Sequence, residues 1–366
     1  MTQPDVIING GGIAGISAAA HLSSEVRVVV IESEAHIGYH STGRSAAMFI
    51  RNYGNAVLRA LNAIAAPVLE APDGISDRSL LSPRGEMLIA DEDDLPALEA
   101  YADGATGLER LTADEAVALV PILRRDRIAA AILEPDAQDI DVDRMLQGYA
   151  RLLRDRGGQT ETGVPVTGIA HENGVWRVST PNGTHSAPIV VNAAGAWADR
   201  VAQMAGLGGV GLTPMRRSAV LLNAPDGHDI ERWPLFASAS ESWYAKPDAG
   251  KLLVSPAEED PVDPHDAYPD DMVLAEGLYR FEQATTMPIT RPTHAWAGLR
   301  SFAPDRTPVV GFDPDASGFF WLAGQGGYGV QTAPALSAIC ARLCLGQPSD
   351  LDPAILNALH PERFRT

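Results

Sequence analysis

The hydrophobic pattern at the start of the chain predicts a β-α-β unit. Asp5–Asn9 and Val26–Ile31 are short apolar runs typical of buried strands, and Ile13–Ser23 between them is an Ala-rich helical stretch. A polar loop rich in Ser, Gly and His follows at Ser33–Ser45. We therefore expect two buried strands joined by a helix, with a long polar loop after the second strand.

The rest of the chain alternates between helical and strand patterns. Helices are expected at Val57–Leu69, Leu95–Tyr101, Leu111–Val120, Asp143–Arg156 and Thr332–Leu345. Buried strands are expected at Ile189–Asn192 and Phe319–Leu322. Asn173-Gly174 separates alternating segments near Val164–Ile169 and Val175–Ser179, which is typical of a β-hairpin.

A different pattern occupies the region from Pro214 to Gly298. Short strands separated by turns, such as Ala219–Leu222, Trp243–Lys246 and Lys251–Ser255, predict an antiparallel sheet there. Within this region Glu258–Asp271 is dense in proline and acidic residues, and we expect it to be a mobile surface loop. The chain thus contains a second kind of sheet between its N-terminal and C-terminal strands.

Composition and charge narrow the class of protein. The 366 residues suit two domains, and the net charge of −19 disfavours binding to nucleic acid or anionic lipid. No apolar run is long enough for a membrane span, and the start lacks the basic region of a signal peptide, so we expect a cytoplasmic protein. Cys340 and Cys344 are interpreted as reduced core thiols, and no metal-binding motif is present.

The clearest chemical signal is a glycine pattern after the first strand. Gly10, Gly12 and Gly15 form G-x-G-x-x-G, in which the glycines allow a tight turn, a close approach to a pyrophosphate and close helix–strand packing. Glu32 closes the second strand, where a carboxylate can bind ribose hydroxyls and repel a 2′-phosphate. The pattern predicts a dinucleotide site and leaves NAD and FAD both open, although the long polar loop after Glu32 favours a flavin.

The motifs as a set resemble the D-amino-acid oxidase superfamily of FAD enzymes, and within it the D-arginine dehydrogenase group. The resemblance covers nearly the whole chain, through Val6–Glu34, Gly38–Ala47, Leu81–Met87, Val191–Trp197, Arg216–Ser218, Tyr244–Gly250, Trp296–Phe302 and Gln325–Thr332. It implies an α/β fold (α+β overall). A Rossmann-like FAD-binding domain (1–77, 137–210 and 304–366) would have an antiparallel-sheet substrate-binding domain (78–136 and 211–303) threaded through it.

The resemblance also implies non-covalent FAD, since no cysteine lies near Arg300, where related sarcosine-oxidase-like enzymes attach their flavin. The residues implied to hold the cofactor are Gly10, Gly12, Ile13, Ala14, Gly15, Glu32, Ser33, Ser41, Thr42, Arg44, Ser45, Ala46, Ala47, Met48, Val166, Ala194, Gly195, Trp197, Gly326, Gly327, Tyr328, Gly329, Val330, Gln331 and Thr332.

The same resemblance assigns a substrate site. Arg217 and Arg300 would bind the carboxylate of an amino acid, because guanidinium groups suit bidentate binding of a carboxylate. Tyr53 and Tyr244 would add phenolic hydrogen bonds, and the Gly327 carbonyl would accept one from the substrate amine. Glu86 matches the position that binds a guanidinium side chain in the related dehydrogenase.

The expected activity is the oxidative deamination of a D-amino acid by an FAD-dependent dehydrogenase, with an unidentified electron acceptor such as a quinone. The substrate side chain is expected to be cationic, as in D-Arg or D-Lys, or broad in range. Met48 and Ile50 replace polar residues of the related enzyme, which weakens the case for strictly cationic substrates. A glycine- or sarcosine-type amine oxidase and a flavin-binding module without turnover remain as alternatives, as does an oxidase.

Overall fold

A computed structural model describes residues 3–289, 291–349 and 351–365. The strands, in chain order, are β1 (Val6–Asn9), β2 (Val28–Ile31), β3 (Met48–Phe49), β4 (Leu81–Pro83), β5 (Glu86–Ala90), β6 (Glu109–Leu111), β7 (Ala130–Glu134), β8 (Gln138–Ile140), β9 (Gln159–Glu161), β10 (Gly168–Glu172), β11 (Val175–Thr180), β12 (Gly183–Ala187), β13 (Ile189–Asn192), β14 (Thr213–Asn223), β15 (Leu235–Ser238), β16 (Tyr244–Asp248), β17 (Lys251–Ser255), β18 (Asp260–Pro261), β19 (His294–Phe302), β20 (Val309–Phe312) and β21 (Phe319–Ala323). The α-helices are α1 (Ile13–Leu22), α2 (Ala56–Glu70), α3 (Leu95–Ala102), α4 (Ala113–Leu119), α5 (Val142–Asp155), α6 (Ala198–Met204), α7 (Asp271–Ala284), α8 (Gly329–Cys344) and α9 (Pro353–Leu359).

The predicted β-α-β unit forms the centre of a six-stranded sheet with the order β20-β21-β13-β1-β2-β9. Its strands pair in parallel except for β20, which runs antiparallel to β21 at the edge. Alternate side chains of β1 face opposite layers, because Ile8 packs among α1, α2, α5 and α8 while Ile7 packs against Trp176 of the β10–β12 sheet. Because β1, β2 and β13 run in parallel, their carboxyl ends meet at one edge of the sheet.

The second sheet has nine strands in the described part of the chain, in the order β18-β14-β17-β16-β15-β5-β7-β6, with β19 paired to β14. The prediction of an antiparallel sheet needs one correction, because β15 pairs with β5 in parallel. The parallel pair arises where the strands from residues 86–134 join edge to edge with those from residues 213–302. A small sheet, β3-β8-β4, has antiparallel pairing throughout.

Three local predictions also differ from the structure. The expected helix Leu111–Val120 is the end of β6 followed by α4, which begins after the Thr112 capping box with Glu115. The hairpin strand expected near Val164–Ile169 begins at Gly168. Helix α7 was not predicted, although Asp270 caps its N-terminus and Leu274, Leu278 and Phe281 bury one face.

The acidic segment Glu258–Asp271 makes specific contacts and does not simply loop through solvent. Its first residue, Glu258, is buried, and β18 pairs with β14. The carboxylate of Asp266 lies 2.5 Å from Arg44 Nη2 and accepts a hydrogen bond from the Tyr39 hydroxyl at 3.1 Å. The segment therefore connects the nine-stranded sheet, here called the large sheet, to the polar loop that follows β2.

Candidate active site

A cavity of about 460 Å³, here called the outer cavity, opens at the carboxyl ends of β1, β2 and β13. This is the edge of an open α/β sheet at which ligands bind. The residues predicted for the cofactor that line it are Gly10, Gly12, Ile13, Ala14, Glu32, Ser33, Ser41, Thr42, Arg44, Ser45, Ala46, Val166, Ala194, Gly195, Trp197, Gly326, Gly327, Gly329 and Val330. They come from widely separated parts of the chain and converge on one space.

The glycine turn at the start of α1 is packed so closely that side chains are excluded. A Cβ at Gly10, whose φ is +118°, would lie 2.3 Å from the Ala193 carbonyl oxygen. A Cβ at Gly15 would lie 1.9 Å from the Gly10 carbonyl oxygen. Gly12 is the N-cap of α1 and provides no side-chain cap, so the positive end of the helix dipole faces the outer cavity.

Two polar side chains fix the geometry of this turn. Glu32 Oε2 accepts a hydrogen bond from the Gly11 amide at 2.6 Å, and its other oxygen accepts one from the Glu34 amide at 2.8 Å. The Thr42 hydroxyl oxygen accepts a hydrogen bond from the Ile13 amide at 3.0 Å. The carboxylate at the end of β2 is therefore held in place on the wall of the outer cavity.

The loop Ser41–Ala47 is tied to the large sheet. Ser41 Oγ donates to the Leu299 carbonyl at 2.6 Å, and Arg44 donates to the Ala297 carbonyl at 2.9 Å, both in β19. The buried Lys246 ammonium donates to the Ala46 carbonyl at 2.9 Å and pairs with Asp139 at 2.5 Å. The next residue, Ala47, has a φ of +58°, a conformation that costs energy for a residue with a Cβ and that often occurs at functional sites.

A second cavity of about 120 Å³, here called the inner cavity, adjoins the outer one. All six residues predicted for the substrate site line it, namely Tyr53, Glu86, Arg217, Tyr244, Arg300 and Gly327. Four of them, Arg217, Tyr244, Arg300 and Gly327, line both cavities. These four thus mark the junction, whereas Tyr53 and Glu86 face only the inner cavity.

The two arginines at the junction come from paired strands but differ in their hydrogen bonds. Arg217 Nε donates to the Glu258 carbonyl at 2.8 Å, and its Nη2 lies 3.2 Å from Glu259 Oε1. Arg300 Nη1 is buried and has no hydrogen-bond partner in the described ranges of the chain. Because a buried charged donor is costly to leave unpaired, Arg300 is the guanidinium that most needs an anion.

The environment also shifts the pKa values of the two arginines in opposite directions. Burial lowers the pKa of Arg217, and the positive charge of Arg300 lowers it further. Burial also acts to lower the pKa of Arg300, but Tyr53, Tyr244, Glu241 and Glu259 outweigh it and raise the pKa overall. Both groups stay cationic, since arginine is not deprotonated in proteins.

Gly327 and Tyr53 lie beside the Arg300 guanidinium. A Cβ at Gly327 would lie 3.1 Å from Arg300 Nη1 and 3.4 Å from the Tyr53 hydroxyl oxygen. Burial raises the pKa of Tyr53, so its hydroxyl keeps its proton and can donate a hydrogen bond. Glycine at this position therefore leaves space for a ligand next to both groups.

Glu86 lies in the wall of the inner cavity and is not a solvated carboxylate. Only 7% of its surface is exposed, and the Tyr101 hydroxyl lies 2.9 Å from its Oε2. Burial, followed by the nearby Glu134, raises the pKa of Glu86 to about 8. The carboxyl group is therefore mostly neutral at pH 7.

Comparison with known proteins settles the family. A family model described as "FAD dependent oxidoreductase" matches residues 5–343. The chain belongs to this family. FAD is accordingly its cofactor. The fold of this family also has the mixed α/β architecture described above, in which strands of the six-stranded and nine-stranded sheets alternate along the chain.

Individual relatives match over most of their length. The chain is 25% identical to "FAD-dependent oxidoreductase domain-containing protein 1" of Bos taurus over 94% of this chain and 81% of that protein. It is 24% identical to the glycine oxidase of Bacillus licheniformis over 94% of both chains. A solved structure of L-alpha-glycerophosphate oxidase from Mycoplasma pneumoniae with FAD bound has a TM-score of 0.85 at 19% identity, covering 96% of this chain and 97% of that one.

The residues of the outer cavity fit FAD. The glycine turn brings bare backbone and the N-terminus of α1 to the cavity, which suits a pyrophosphate, and Glu32 offers a carboxylate for a ribose. Trp197, whose ring centroid lies 4.6 Å from that of His40, provides an aromatic surface in the same cavity. The Ser45–Ala46 segment lines both cavities and so lies where a flavin ring would meet a substrate.

Six predicted cofactor residues lie outside the outer cavity. Ala47, Met48 and Gln331 line the inner cavity instead. Gly15, Tyr328 and Thr332 line neither. Gly15 is packed against Gly10, the Tyr328 ring contacts the Tyr53 ring in a tilted arrangement with centroids 4.7 Å apart, and the Thr332 hydroxyl donates to the Tyr328 carbonyl. These three residues support the site from behind, Gly15 within α1 and Tyr328 and Thr332 at the start of α8.

Sequence reasoning missed several residues of the two cavities. Tyr39, His40 and Arg200 line the outer cavity, while Tyr101 and Glu241 line the inner one. Tyr39 and His40 stand inside a recognised motif and could have been found from it. Tyr101 and Glu241 carried no local signal, because they reach the cavity from a surface helix and from the turn before β16.

The described residues contain neither a cluster suited to a metal ion nor a helix suited to a membrane. No group of three or more His, Cys, Asp or Glu side chains is placed to hold a metal ion there. No helix in those same ranges has the length and apolar character required to cross a membrane.

Proposed function

We propose that this FAD-dependent oxidoreductase oxidises a D-amino acid to its imino acid, which water hydrolyses to a 2-oxo acid and ammonia. The observation that carries the proposal is the Arg300 guanidinium, whose buried Nη1 has no hydrogen-bond partner in the described structure and which lies where the two cavities meet. A substrate carboxylate would supply the missing partner. The D-configuration rests on the resemblance of the sequence motifs.

The side chains at the junction would bind and orient the substrate. Its carboxylate would lie on Arg300, with Arg217 as the second donor, and the phenols of Tyr53 and Tyr244 would complete the contacts. The Gly327 carbonyl would accept a hydrogen bond from the amine, which fixes the direction of the α-hydrogen. Bound FAD supplies the acceptor for the α-hydrogen and its two electrons.

Proton handling by the protein would be simple. The two guanidinium groups disfavour a further positive charge beside them, so the amine would bind in its neutral form. No side chain then has to act as a strong base. The protein would contribute orientation and electrostatic stabilisation, and the inner cavity would shield the reacting carbon from water.

The remaining features of the chain support a finer assignment. We propose that residues 1–77, 137–210 and 304–366 form the FAD-binding domain, and that 78–136 and 211–303 form the substrate-binding domain. Cys340 and Cys344 both lie in α8 and line neither cavity, which supports non-covalent FAD. The apolar Met48 and Ile50 share the inner cavity with Glu86, which favours a substrate range that includes both cationic and apolar side chains.

A second candidate is oxidation of glycine or of a secondary amine such as sarcosine. It is favoured by the similarity to a glycine oxidase along 94% of both chains. The same arginines would bind the carboxylate, and the wall around Glu86 would then contact no substrate side chain.

The deciding experiment adds single amino acids to the holoenzyme without oxygen and follows loss of the visible flavin absorbance. Reduction by D-Arg, D-Lys or apolar D-amino acids, but not by their L-forms, would support the proposal. Reduction by glycine and sarcosine instead would favour the second candidate. No reduction by any of these compounds would refute both and favour a flavin-binding module. Reoxidation by oxygen compared with a quinone then separates an oxidase from a dehydrogenase.

A further inference from the structure

Two carboxyl groups and one phenol form a buried cluster at the side of the inner cavity, here called the Glu86–Tyr101–Glu134 cluster. Glu86 in β5 and Glu134 in β7 are directly opposite each other in the antiparallel register. Tyr101 of α3 bridges them, because its hydroxyl oxygen lies 2.9 Å from Glu86 Oε2 and 3.2 Å from Glu134 Oε2. Glu86 and Tyr101 line the inner cavity, while Glu134 lies behind them.

The short oxygen–oxygen distances in this cluster require one proton in addition to the hydroxyl proton of Tyr101. A tyrosine hydroxyl has a single proton and can donate to only one of the two carboxyl groups. If both were ionised, the other oxygen–oxygen contact would be repulsive. The short spacing on both sides of Tyr101 is therefore explained if one carboxyl group carries a proton.

The hydrogen bonds identify the protonated group. Glu134 accepts from the Arg51 amide at 2.8 Å and from Asn52 Nδ2 at 2.6 Å, so donors stabilise its negative charge. In the described part of the structure, the Glu86 side chain has the Tyr101 hydroxyl as its hydrogen-bond partner. The extra proton therefore belongs on Glu86.

The surroundings of Glu86 agree with this assignment. The titratable groups that act on it are Glu134 from β7, Tyr101 from α3 and Glu241 from the turn before β16. Both carboxylates oppose its ionisation, as does its burial beside Leu88 and Leu235, whereas the Tyr101 hydrogen bond favours it. The outcome is the pKa of about 8 given above.

We infer that Glu86 is protonated in the resting enzyme and that a cationic substrate side chain binds it only with release of that proton to solvent. The O–H bond of the Glu86 carboxyl breaks, the proton passes to water, and the carboxylate left behind pairs with the incoming cation. A neutral side chain binds against the protonated form without any proton release. The same wall thus accepts two classes of side chain, an inference that rests on the amino-acid substrate proposed above.

The first test measures the resting proton and requires no substrate. Infrared difference spectra of the holoenzyme between pH 6 and 10 should show a protonated carboxyl band that disappears with a midpoint near the pKa of Glu86, about 8. The band should be absent in Glu86→Gln. A band that titrates unchanged in Glu86→Gln would overturn the assignment.

The second test measures proton release with two matched probes that lack an α-amine and therefore cannot be oxidised. These are 5-guanidinopentanoate, which has the charge and length of arginine, and its uncharged analogue 5-ureidopentanoate. Calorimetry at pH 7 in buffers of different ionisation enthalpy should give about one proton released for the guanidino probe and none for the ureido probe. Affinity for the guanidino probe should rise about tenfold per pH unit below the pKa and then level off.

Each outcome of the second test has a distinct meaning. Binding of both probes with no proton release from either would overturn the inference while leaving the proposed function intact. In Glu86→Gln the release should vanish, and the ureido probe should still bind. Failure of both probes to bind would refute the amino-acid site itself and with it the displacement step, and the infrared titration would still decide whether Glu86 holds the proton.

Discussion

The unpartnered guanidinium of Arg300 leads to the sharpest prediction. Replacing Arg300 with methionine removes the charge but keeps a long side chain in the buried space. Arg217→Met makes the same change at the arginine that already has partners, since Arg217 contacts the Glu258 carbonyl and Glu259. The structure predicts that the two variants differ, although a symmetric carboxylate clamp would make them equal.

The size of the effect follows from burial. Truncating one member of a buried, hydrogen-bonded charge pair costs about 2–5 kcal/mol, or about 30- to 5,000-fold in affinity. Arg300→Met should lose that amount of carboxylate binding, because Arg300 Nη1 has no alternative partner in the described chain. Arg217→Met should lose less. Glu259 remains paired with Arg306, whose Nη2 lies 2.8 Å away, so no charge is stranded.

The assay compares kcat/KM and the affinity for 5-ureidopentanoate in the holoenzyme variants. Arg300→Lys is the conservative partner variant and should fall between wild type and Arg300→Met, because lysine keeps the charge but loses the bidentate geometry. Arg216→Met is the matched control. Arg216 neighbours Arg217 on β14 but pairs with Asp260 at 2.8 Å and lines neither cavity.

The reasoning would be refuted if Arg217→Met cost as much as Arg300→Met, or if Arg216→Met weakened carboxylate binding as strongly as either. Thermal unfolding of each variant separates a loss of binding from a loss of folded protein.

Three further predictions concern the cofactor turn, the cofactor loop and pH. Gly15→Ala should lower both the melting temperature and the amount of bound flavin, because its Cβ would lie 1.9 Å from the Gly10 carbonyl oxygen. In the control Gly174→Ala the new Cβ has nothing within 4 Å, so the folded state should lose only about 1 kcal/mol of stability. Equal losses of stability and flavin in the two variants would contradict this prediction. Asp266→Asn should speed FAD release up to about fivefold and lower the melting temperature by no more than about 4 °C, since an exposed pair with Arg44 contributes about 1 kcal/mol at most; an unchanged release rate would count against that contact. If the amine binds neutral, as proposed, kcat/KM should rise with pH toward the amine pKa, and a flat profile between about pH 6 and 10 would argue against it.

The sequence was most informative where function depends on backbone shape. Gly10, Gly12 and Gly15 with Glu32 predicted both the β-α-β unit and its dinucleotide site, because the spacing of these residues has few other uses. The Asn173-Gly174 pair likewise predicted the turn of the β10–β11 hairpin, because few other turns favour this dipeptide. Helix α7 was missed although Leu274, Leu278 and Phe281 are spaced for one face, because the surrounding prolines and acids favoured a loop.

The chemistry of the inner cavity depends on contacts that no local pattern contains. Glu86 could be placed by resemblance, but its neutral state depends on its burial and on Glu134, 48 positions further along the chain, and its hydrogen-bond partner Tyr101 comes from α3. The difference between Arg217 and Arg300 likewise depends on Glu259, which stood in a segment expected to be mobile. The burial and the hydrogen-bond partners of these side chains arise only in the folded chain, and the sequence indicated neither.

The order of strands in the parallel sheet has a consequence for how the protein is made. The N-terminal β1 acquires its neighbour β13 only after residue 192, and β13 acquires β21 only after residue 323. Helix α8, which packs against α1 and α2 and carries part of the cavity wall, emerges from the ribosome later still. During synthesis the glycine turn therefore lacks these neighbours until α8 has been made, and we expect stable capture of FAD only after that point.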